Sequence, residues 1–285
     1  MVTGERESAK KIQLAKKHLA AEVRSWKVMS ATTVKMLAVV LMFLDHIHEM
    51  FASVGAPQWL NLLGRPVFPL FLFIAAESFA YTRSRKRYLE RLLAASVGMS
   101  LLTWAVQMAV SNDSVALMNN AFSTFFVAAV YMHSCDLLRE GVRRKKGGQI
   151  AKGILFALIP VFTMAPAFLL LFLSARGMAS GAVLQGLALL SRLLPSLLSV
   201  EGGPLYVLLG VLFYLLRGNR SAQIVTVLLF AAAAYTISGG VQWAAALAVI
   251  PMMLYNGERG RGMKRFFYIF YPAHIVGLYL LASFL

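Results

Sequence analysis

Nine near-continuous apolar runs divide the chain: Thr33 to Val54, Leu63 to Tyr81, Leu92 to Val110, Ala121 to Leu138, Ile154 to Ser174, Pro204 to Leu216, Ile224 to Ser238, Val241 to Tyr255 and Phe266 to Phe284. A helix rising 1.5 Å per residue needs about 20 residues to cross about 30 Å of hydrocarbon, whereas strands would need short or alternating runs bounded by turns. The pattern predicts an all-α polytopic membrane protein of about nine transmembrane helices in one bundle. Ahead of the first run, Ile12, Ala15, Leu19, Val23 and Trp26 recur at helical spacing among Lys10, Lys16, Lys17, His18 and Arg24. That periodicity predicts an amphipathic helix lying on the membrane surface over residues 1–29, followed by a membrane domain over residues 30–285. The segment is too long and charged for a signal-peptide leader and is expected to stay attached.

Charge orients these runs. The even-numbered gaps contain TRSRKRYLER, REGVRRKKGGQIAK, RGNR and NGERGRGMKR, while the odd-numbered gaps hold only scattered Asp113, Arg176, Arg192 and Glu201. Basic loops stay in the cytoplasm, so the N-terminus is expected inside and the C-terminus outside. Met178 to Val200 is apolar but carries Gln185, Arg192 and Pro195, and a crossing there would invert the charge parity of every later loop. It reads as an amphipathic or re-entrant pair on the outer face, placed to cover a substrate entrance. The net charge of +16 is accounted for by cytoplasmic loops and does not call for nucleic acid. The single cysteine, Cys135, excludes an internal disulfide and argues against a thiolate metal site.

The chemistry sits inside the first run. Asp45, His46, His48 and Glu49 interrupt VKMLAVVLMFLDHIHEMFASV, and ionisable groups in a bilayer are costly enough to mark a proton path or a reacting site. Lys35, Val39, Met42, His46 and Glu49 share one helical stripe, with Asp45 on its edge; His46 lies three turns, about 16 Å, deeper than Lys35. A cation at the membrane mouth suits a phosphate-bearing ligand, and a histidine at depth suits proton transfer, oriented by Asp45 or Glu49. His48 points to another face and reads as structural. The second run adds Arg65, near Pro66 and Pro69, and the deeper Glu77; the last run adds His274 beyond the helix-bending Pro272. His46 with His274 is the expected pair. His133 and His18 read as surface or headgroup residues.

Histidines two apart lie on different faces of a helix, and the chain has no HExxH or cysteine-rich spacing, so no metal is expected. A phosphate-cradling glycine loop and a nucleophile elbow are also missing from the sequence. A nucleotide-like donor must then be held by basic loops and bundle cavities.

KMLAVVLMFLDHI, LLGRPVFPLFLFIAAESFAYTRSRKRYLERLL, NNAFSTFF, PMMLYNGERG and FFYIFYPAHIVGLYLL resemble, in order, the successive signatures of the TraX family. The resemblance covers the first four and last four runs. It implies a membrane acetyltransferase of the pilin N-terminal acetylation type, similar also to heparan-glucosaminide N-acetyltransferases, in the inner, cytoplasmic membrane of a bacterium. By likeness, the DHI motif falls on Asp45 and His46, GRxxFPxF on Gly64, Arg65, Phe68 and Pro69, and the inner end of that run on Glu77. YNGxRG falls on Tyr255, Asn256, Gly257, Arg259 and Gly260, and the final motif on Tyr271, Pro272 and His274. Departures are His48 and Ser78 where glycine is common, and LLTWAVQMAV where the family carries a more polar Ser-Glu-Pro pattern.

The resemblance implies acetyl-CoA as co-substrate, its phosphates meeting Lys35, Arg65 and the inner loops, namely Arg83, Arg85, Lys86, Arg87, Asn256 and Arg259. His46, oriented by Asp45, would deprotonate an acceptor amine or hydroxyl, with His274 and Asn256 positioning or stabilising charge. The expected partners are this acyl-CoA donor, an acceptor peptide or glycan, and the lipid bilayer; a homodimer is admissible. A proton-coupled transporter is the alternative, since it would use the same intramembrane groups.

Overall fold

The computed structural model describes residues 27–284, and among these the chain is helical, with a single isolated β-bridge. The expected surface helix over residues 1–29 lies outside the described residues for all but its last three positions. Twelve α-helices follow: α1 (Ala31–Phe51), α2 (Trp59–Gly64), α3 (Val67–Ala80), α4 (Arg85–Ala109), α5 (Ala121–Arg143), α6 (Gly147–Phe162), α7 (Ala165–Arg176), α8 (Gly181–Leu193), α9 (Gly203–Leu215), α10 (Arg220–Ser238), α11 (Val249–Leu254) and α12 (Lys264–Ser283). Two 3-10 segments, Ala52–Val54 and Gly240–Ala248, complete the set. Side chains just ahead of four helices satisfy their orphan N–H groups: Ser30 accepts from Thr33 N, Ser84 from Arg87 N, Asn120 from Ser123 N and Asn219 from Ala222 N.

Seven helical stretches of the described residues are long and apolar enough to cross a membrane. Two of them are broken. The expected second run divides into α2 and α3 at Arg65–Pro66, where proline removes a backbone donor; the fifth divides into α6 and α7 ahead of Pro166. The runs expected at Pro204 to Leu216 and Val241 to Tyr255 fall on shorter segments. The latter is a nine-residue 3-10 helix leading into the six-residue α11. Because a 3-10 helix rises about 2 Å per residue, this stretch still extends about 27 Å, close to the hydrocarbon thickness. Met178 to Val200 contains α8, whose 13 residues reach only about 20 Å. The chain after it is tied down where Leu197 N donates to Pro160 O and Thr163 Oγ1 to Pro195 O.

The bundle is organised around α3, whose Leu70, Leu72, Phe73, Ile74 and Phe79 are fully buried against α1, α5 and α9. Lipid tails are as apolar as leucine, so close van der Waals fit holds such helices together. Glycines permit the closest approaches: a Cβ on Gly210 would press on Leu72 and Ala128, and one on Gly153 would overlap Leu138. There Ser134 Oγ donates to the Gly153 carbonyl at 2.7 Å, locking α6 onto α5. A second core joins α1, α4 and α12 through Val39, Met42, Met50, Met99, Ile275 and Tyr279.

The start of α1 is latched to the loop after α11. Met29 N donates to Leu254 O, Asn256 N to Met29 O and Ala31 N to Glu258 O, at 2.8–3.0 Å. Thr32 Oγ1 donates to the Arg259 and Arg261 carbonyls. Gly260 has φ +67° and packs so closely on Ser30 that a Cβ would overlap its side chain, which explains the last glycine of YNGERG. This latch brings Arg259 and Arg261 beside the mouth at Lys35.

Candidate functional site

The first and last helices meet at two histidines. His46, 5% exposed, and His274, 8% exposed, approach to 2.8 Å between His46 Nδ1 and His274 Nε2. His274 Nδ1 lies 2.7 Å from the Phe270 carbonyl, which can only accept, so this nitrogen carries a proton. In neutral His274 the other nitrogen is then an acceptor, and His46 donates to it through Nδ1–H. The tautomer chain leaves the lone pair of His46 on Nε2, pointing away from His274. Pro272 lies inside α12 between Phe270 and His274, and Phe270 stacks on the His274 ring at a centroid distance of 4.7 Å.

Asp45 does not orient His46, contrary to the expectation from sequence. Arg65 NH2 donates to both Asp45 oxygens, at 2.9 and 3.1 Å, and Arg65 Nε donates to the Asn61 carbonyl. The pair is only a fifth to a quarter exposed. Gly64 explains how it forms, because any Cβ there would coincide with the Asp45 carboxylate. The DHI and GRP motifs are therefore two halves of one clamp between α1 and the break after α2. Arg65 does not line the cavity described below. His48 Nδ1 is 3.2 Å from Ala56 O, a structural contact at the helix end.

Glu49 lies one turn beyond His46, with its Oε2 3.7 Å from His46 Nε2. Asn119, in the connection before α5, donates through Nδ2 to both Glu49 oxygens at 2.9 and 3.0 Å. The neighbouring Asn120 is fastened to Ser96 and Ser100 of α4, and its backbone N–H donates to Glu201 Oε2. Tyr271 Oη donates to the same oxygen at 3.1 Å and accepts from Ala121 N at 2.9 Å. Burial, reinforced by the nearby Glu49 carboxylate, pushes the Glu201 carboxyl up to about 7, against the opposing hydrogen bonds from Asn120 and Tyr271.

A cavity of about 1000 Å³ runs from the basic end of the bundle toward these groups. Its rim carries seven cations, Lys35, Arg83, Arg87, Arg91, Arg259, Arg261 and Lys264, against two carboxylates, Glu77 and Glu90. Its inner wall includes Met42, Phe71, Phe122, Phe270 and Tyr271. Met42 lies one helical turn before His46 on α1, and the Tyr271 ring is 6.4 Å from the His46 ring between centroids. Tyr255 also lines the cavity.

Three other expected donor-binding residues are occupied elsewhere. Arg85 donates to Asp136 at 3.2 Å and covers the Phe79 ring, and Tyr214 Oη holds the other Asp136 oxygen. Lys86 faces Glu90 at 3.8 Å on the exposed side of α4. Asn256 closes its own turn, accepting from Glu258 N at 2.8 Å. Arg85 pairs across to Asp136 on α5, which charge runs do not reveal; Lys86 has the i,i+4 spacing to Glu90 that marks a pair along one helix, and Asn256 bonds within its own turn. His133 sits edge-on to Phe156 between α5 and α6.

Asn119 and Asn120 open the NNAFSTFF signature, and Glu201 is one of the scattered outer charges, but the sequence gives none of the three a role. An Asn pair immediately before an apolar run is an N-cap signal, and Asn120 indeed caps α5; its contacts to α4 and to Glu201 are tertiary.

The family model described as TraX protein matches residues 30–282. The chain belongs to the TraX family. A probable fimbrial assembly protein, FimC of serogroup H1 from Dichelobacter nodosus, is 38% identical over 66 residues. That match covers 22% of this chain and 27% of the relative, so only about a quarter of that curated protein is spanned. No solved structure matches the chain. The TraX-family match takes in every one of the side chains that form the two-histidine site and the clamp.

The clamp yields a stability expectation. Asp45→Asn and Arg65→Gln should each destabilise the purified protein by leaving one partner of a little-exposed pair uncompensated. The double variant should lose less than the sum, with a coupling of about 1–3 kcal/mol in denaturant unfolding. Strictly additive losses would mean that the two side chains act independently.

Proposed function

We propose that this TraX-family protein is an integral membrane acyltransferase that moves an acetyl group from cytoplasmic acetyl-CoA to an amine or hydroxyl of an acceptor, such as a pilin or peptide N-terminus or a glycan. The observation that carries the reading is a cavity with a cationic rim whose inner wall includes Met42, one helical turn before His46, and Tyr271. Coenzyme A is a polyphosphate with a long, uncharged arm. Its phosphates suit the rim of Lys35, Arg83, Arg87 and Arg259, and its arm suits the apolar inner wall leading to the histidines. The partial similarity to a probable fimbrial assembly protein favours a pilin as the acceptor.

In the proposed reaction the acceptor nitrogen or oxygen attacks the thioester carbonyl while His46 Nε2 takes its proton. The C–S bond breaks, and the departing thiolate recovers that proton from the imidazolium, giving the acetylated acceptor and coenzyme A. His274 acts through His46: by accepting from Nδ1–H it keeps the Nε2 lone pair available. Direct transfer needs no intermediate on the protein and is the more economical route. The topology that goes with this reading has nine crossings, basic loops and N-terminus inside, C-terminus outside, in the bacterial cytoplasmic membrane. A proton-coupled transporter would use the same buried groups and would find support in the broken α2–α3 and α6–α7 helices. Such a protein would not consume acetyl-CoA.

Three outcomes are expected. His46→Ala should lower acetyl transfer from labelled acetyl-CoA to a panel of amines and sugars by about 10²–10⁴-fold while coenzyme A binding persists; normal turnover in this variant would move the role of base to His274. Lys35→Ala should raise the KM for acetyl-CoA and weaken coenzyme A binding far more than it slows the chemical step. Unchanged affinity in a well-folded Lys35→Ala protein would leave the arginines of the rim to hold the phosphates. A reporter fused after Leu285 should behave as extracytoplasmic, and a cytoplasmic signal would overturn the nine-crossing topology.

A further inference from the structure

Beyond His46, on the side away from the cationic rim, the polar atoms are mismatched in one direction. His46 Nε2 presents a lone pair, by the tautomer argument above. Glu49 presents two carboxylate oxygens, and its side chain is 41% exposed. Asn119 is 7% exposed, and its Oδ1 is buried without a hydrogen-bond partner. Among the described residues no lysine or arginine pairs with Glu49, because the nearby Arg65 gives its NH2 group to Asp45. Apart from Asn119 Nδ2, which donates to Glu49, these groups offer acceptors only. An acceptor left unsatisfied in a low-dielectric interior costs free energy that a positively charged donor would recover.

We propose that Glu49 and Asn119 form an acceptor subsite that takes a protonated primary amine and presents it to His46 Nε2. The inference rests on the acyltransfer reading and assigns the side of the site that the donor cavity does not reach. The geometry fits a single nitrogen. Glu49 Oε2 and His46 Nε2 are 3.7 Å apart, too far to bond each other. A nitrogen at ordinary hydrogen-bonding distance from both, about 2.9 Å, sits at the apex of that triangle. An ammonium has three donors, enough for Glu49, His46 and one more acceptor, whereas a hydroxyl has one donor and brings no charge to offset the carboxylate. Asn119 holds the Glu49 carboxylate in place through Nδ2 and keeps Oδ1 in hand. During transfer the ammonium would release one proton to solvent along the exposed Glu49. It would give a second to His46 as the C–N bond forms and the C–S bond breaks, and that proton ends on the thiolate of coenzyme A. Donor and acceptor would thus reach His46 from opposite ends of the bundle.

The test is equilibrium binding without acetyl-CoA, so that it stands apart from whether acetyl transfer occurs. Two probes of the same shape serve: a hydrophobic peptide beginning with a free-amine alanine, and its counterpart in which lactate replaces that alanine, so that hydroxyl stands for amine. Both are titrated into the protein in lipid nanodiscs, with protein-free nanodiscs as the blank. The wild-type protein should bind the amine peptide more tightly than the lactoyl peptide. Glu49→Gln, isosteric and monodisperse on size exclusion, should weaken the amine peptide at least tenfold and leave the lactoyl peptide within twofold. Equal binding of both peptides by the wild type, or amine binding unaltered by Glu49→Gln, would overturn the subsite. Neither result bears on transfer, which the His46→Ala assay reads separately.

Discussion

The hydrogen bond between His46 and His274 joins the first and last helices of the bundle, and the rest of the site is arranged around it. Its direction is set by a backbone carbonyl. Because Phe270 O can only accept, one proton position on His274 is settled, the next on His46 follows, and the lone pair left at Nε2 is where base chemistry is possible. The bond also requires α1 and α12 to be in contact. That contact is secured at one end by Val39, Met42, Ile275 and Tyr279, and at the other by the latch of the 255–263 loop on Ser30, Ala31 and Thr32.

Charges near the histidines are distributed so that each has a separate task. Asp45 is committed to Arg65, which fastens α1 to the break between α2 and α3 and keeps a cation and an anion neutralised at depth. Glu201 is held by Asn120 and Tyr271, which ties the connection before α9 to α5 and α12. Glu49 alone faces His46 with no arginine or lysine partner among the described residues. On the other side the cavity is strongly cationic at its rim and aromatic within. This asymmetry, cations toward one end and acceptors toward the other, underlies both the proposed donor route and the proposed acceptor subsite.

Much of the helical architecture was legible in the sequence because an apolar run of membrane length leaves a chain little choice. With no water to satisfy the backbone, the helix is forced, and each expected run lies on helical structure. Polar residues inside those runs were legible for a related reason: their cost in hydrocarbon makes them conspicuous. His46 and His274 stood out in this way, as did Lys35 and Glu77. Hydropathy did not anticipate the breaks at Arg65–Pro66 and before Pro166, or the nine-residue 3-10 segment that follows Gly239, since proline and glycine interrupt a helix without making its run less apolar.

Which polar residue meets which was decided by tertiary structure alone. Sequence adjacency suggested Asp45 as the partner of His46, but on a helix consecutive side chains diverge by about 100°, so Asp45 turns to Arg65 while His46 turns to α12. The basic run TRSRKR was read as one phosphate-binding unit, yet Arg85 is drawn off by Asp136 on α5, while Arg83 and Arg87 line the cavity. Asn119 and Glu201 lie in short connections whose composition carries no marker of depth; only the packing of α4, α5 and α12 brings them beside His46 and Tyr271. The sequence by itself determined that the chain is a helical membrane protein of the TraX family with ionisable groups at depth, because length, hydropathy and motif order are local properties. The pairing of those groups is a property of distances between helices, and only the folded bundle sets those distances.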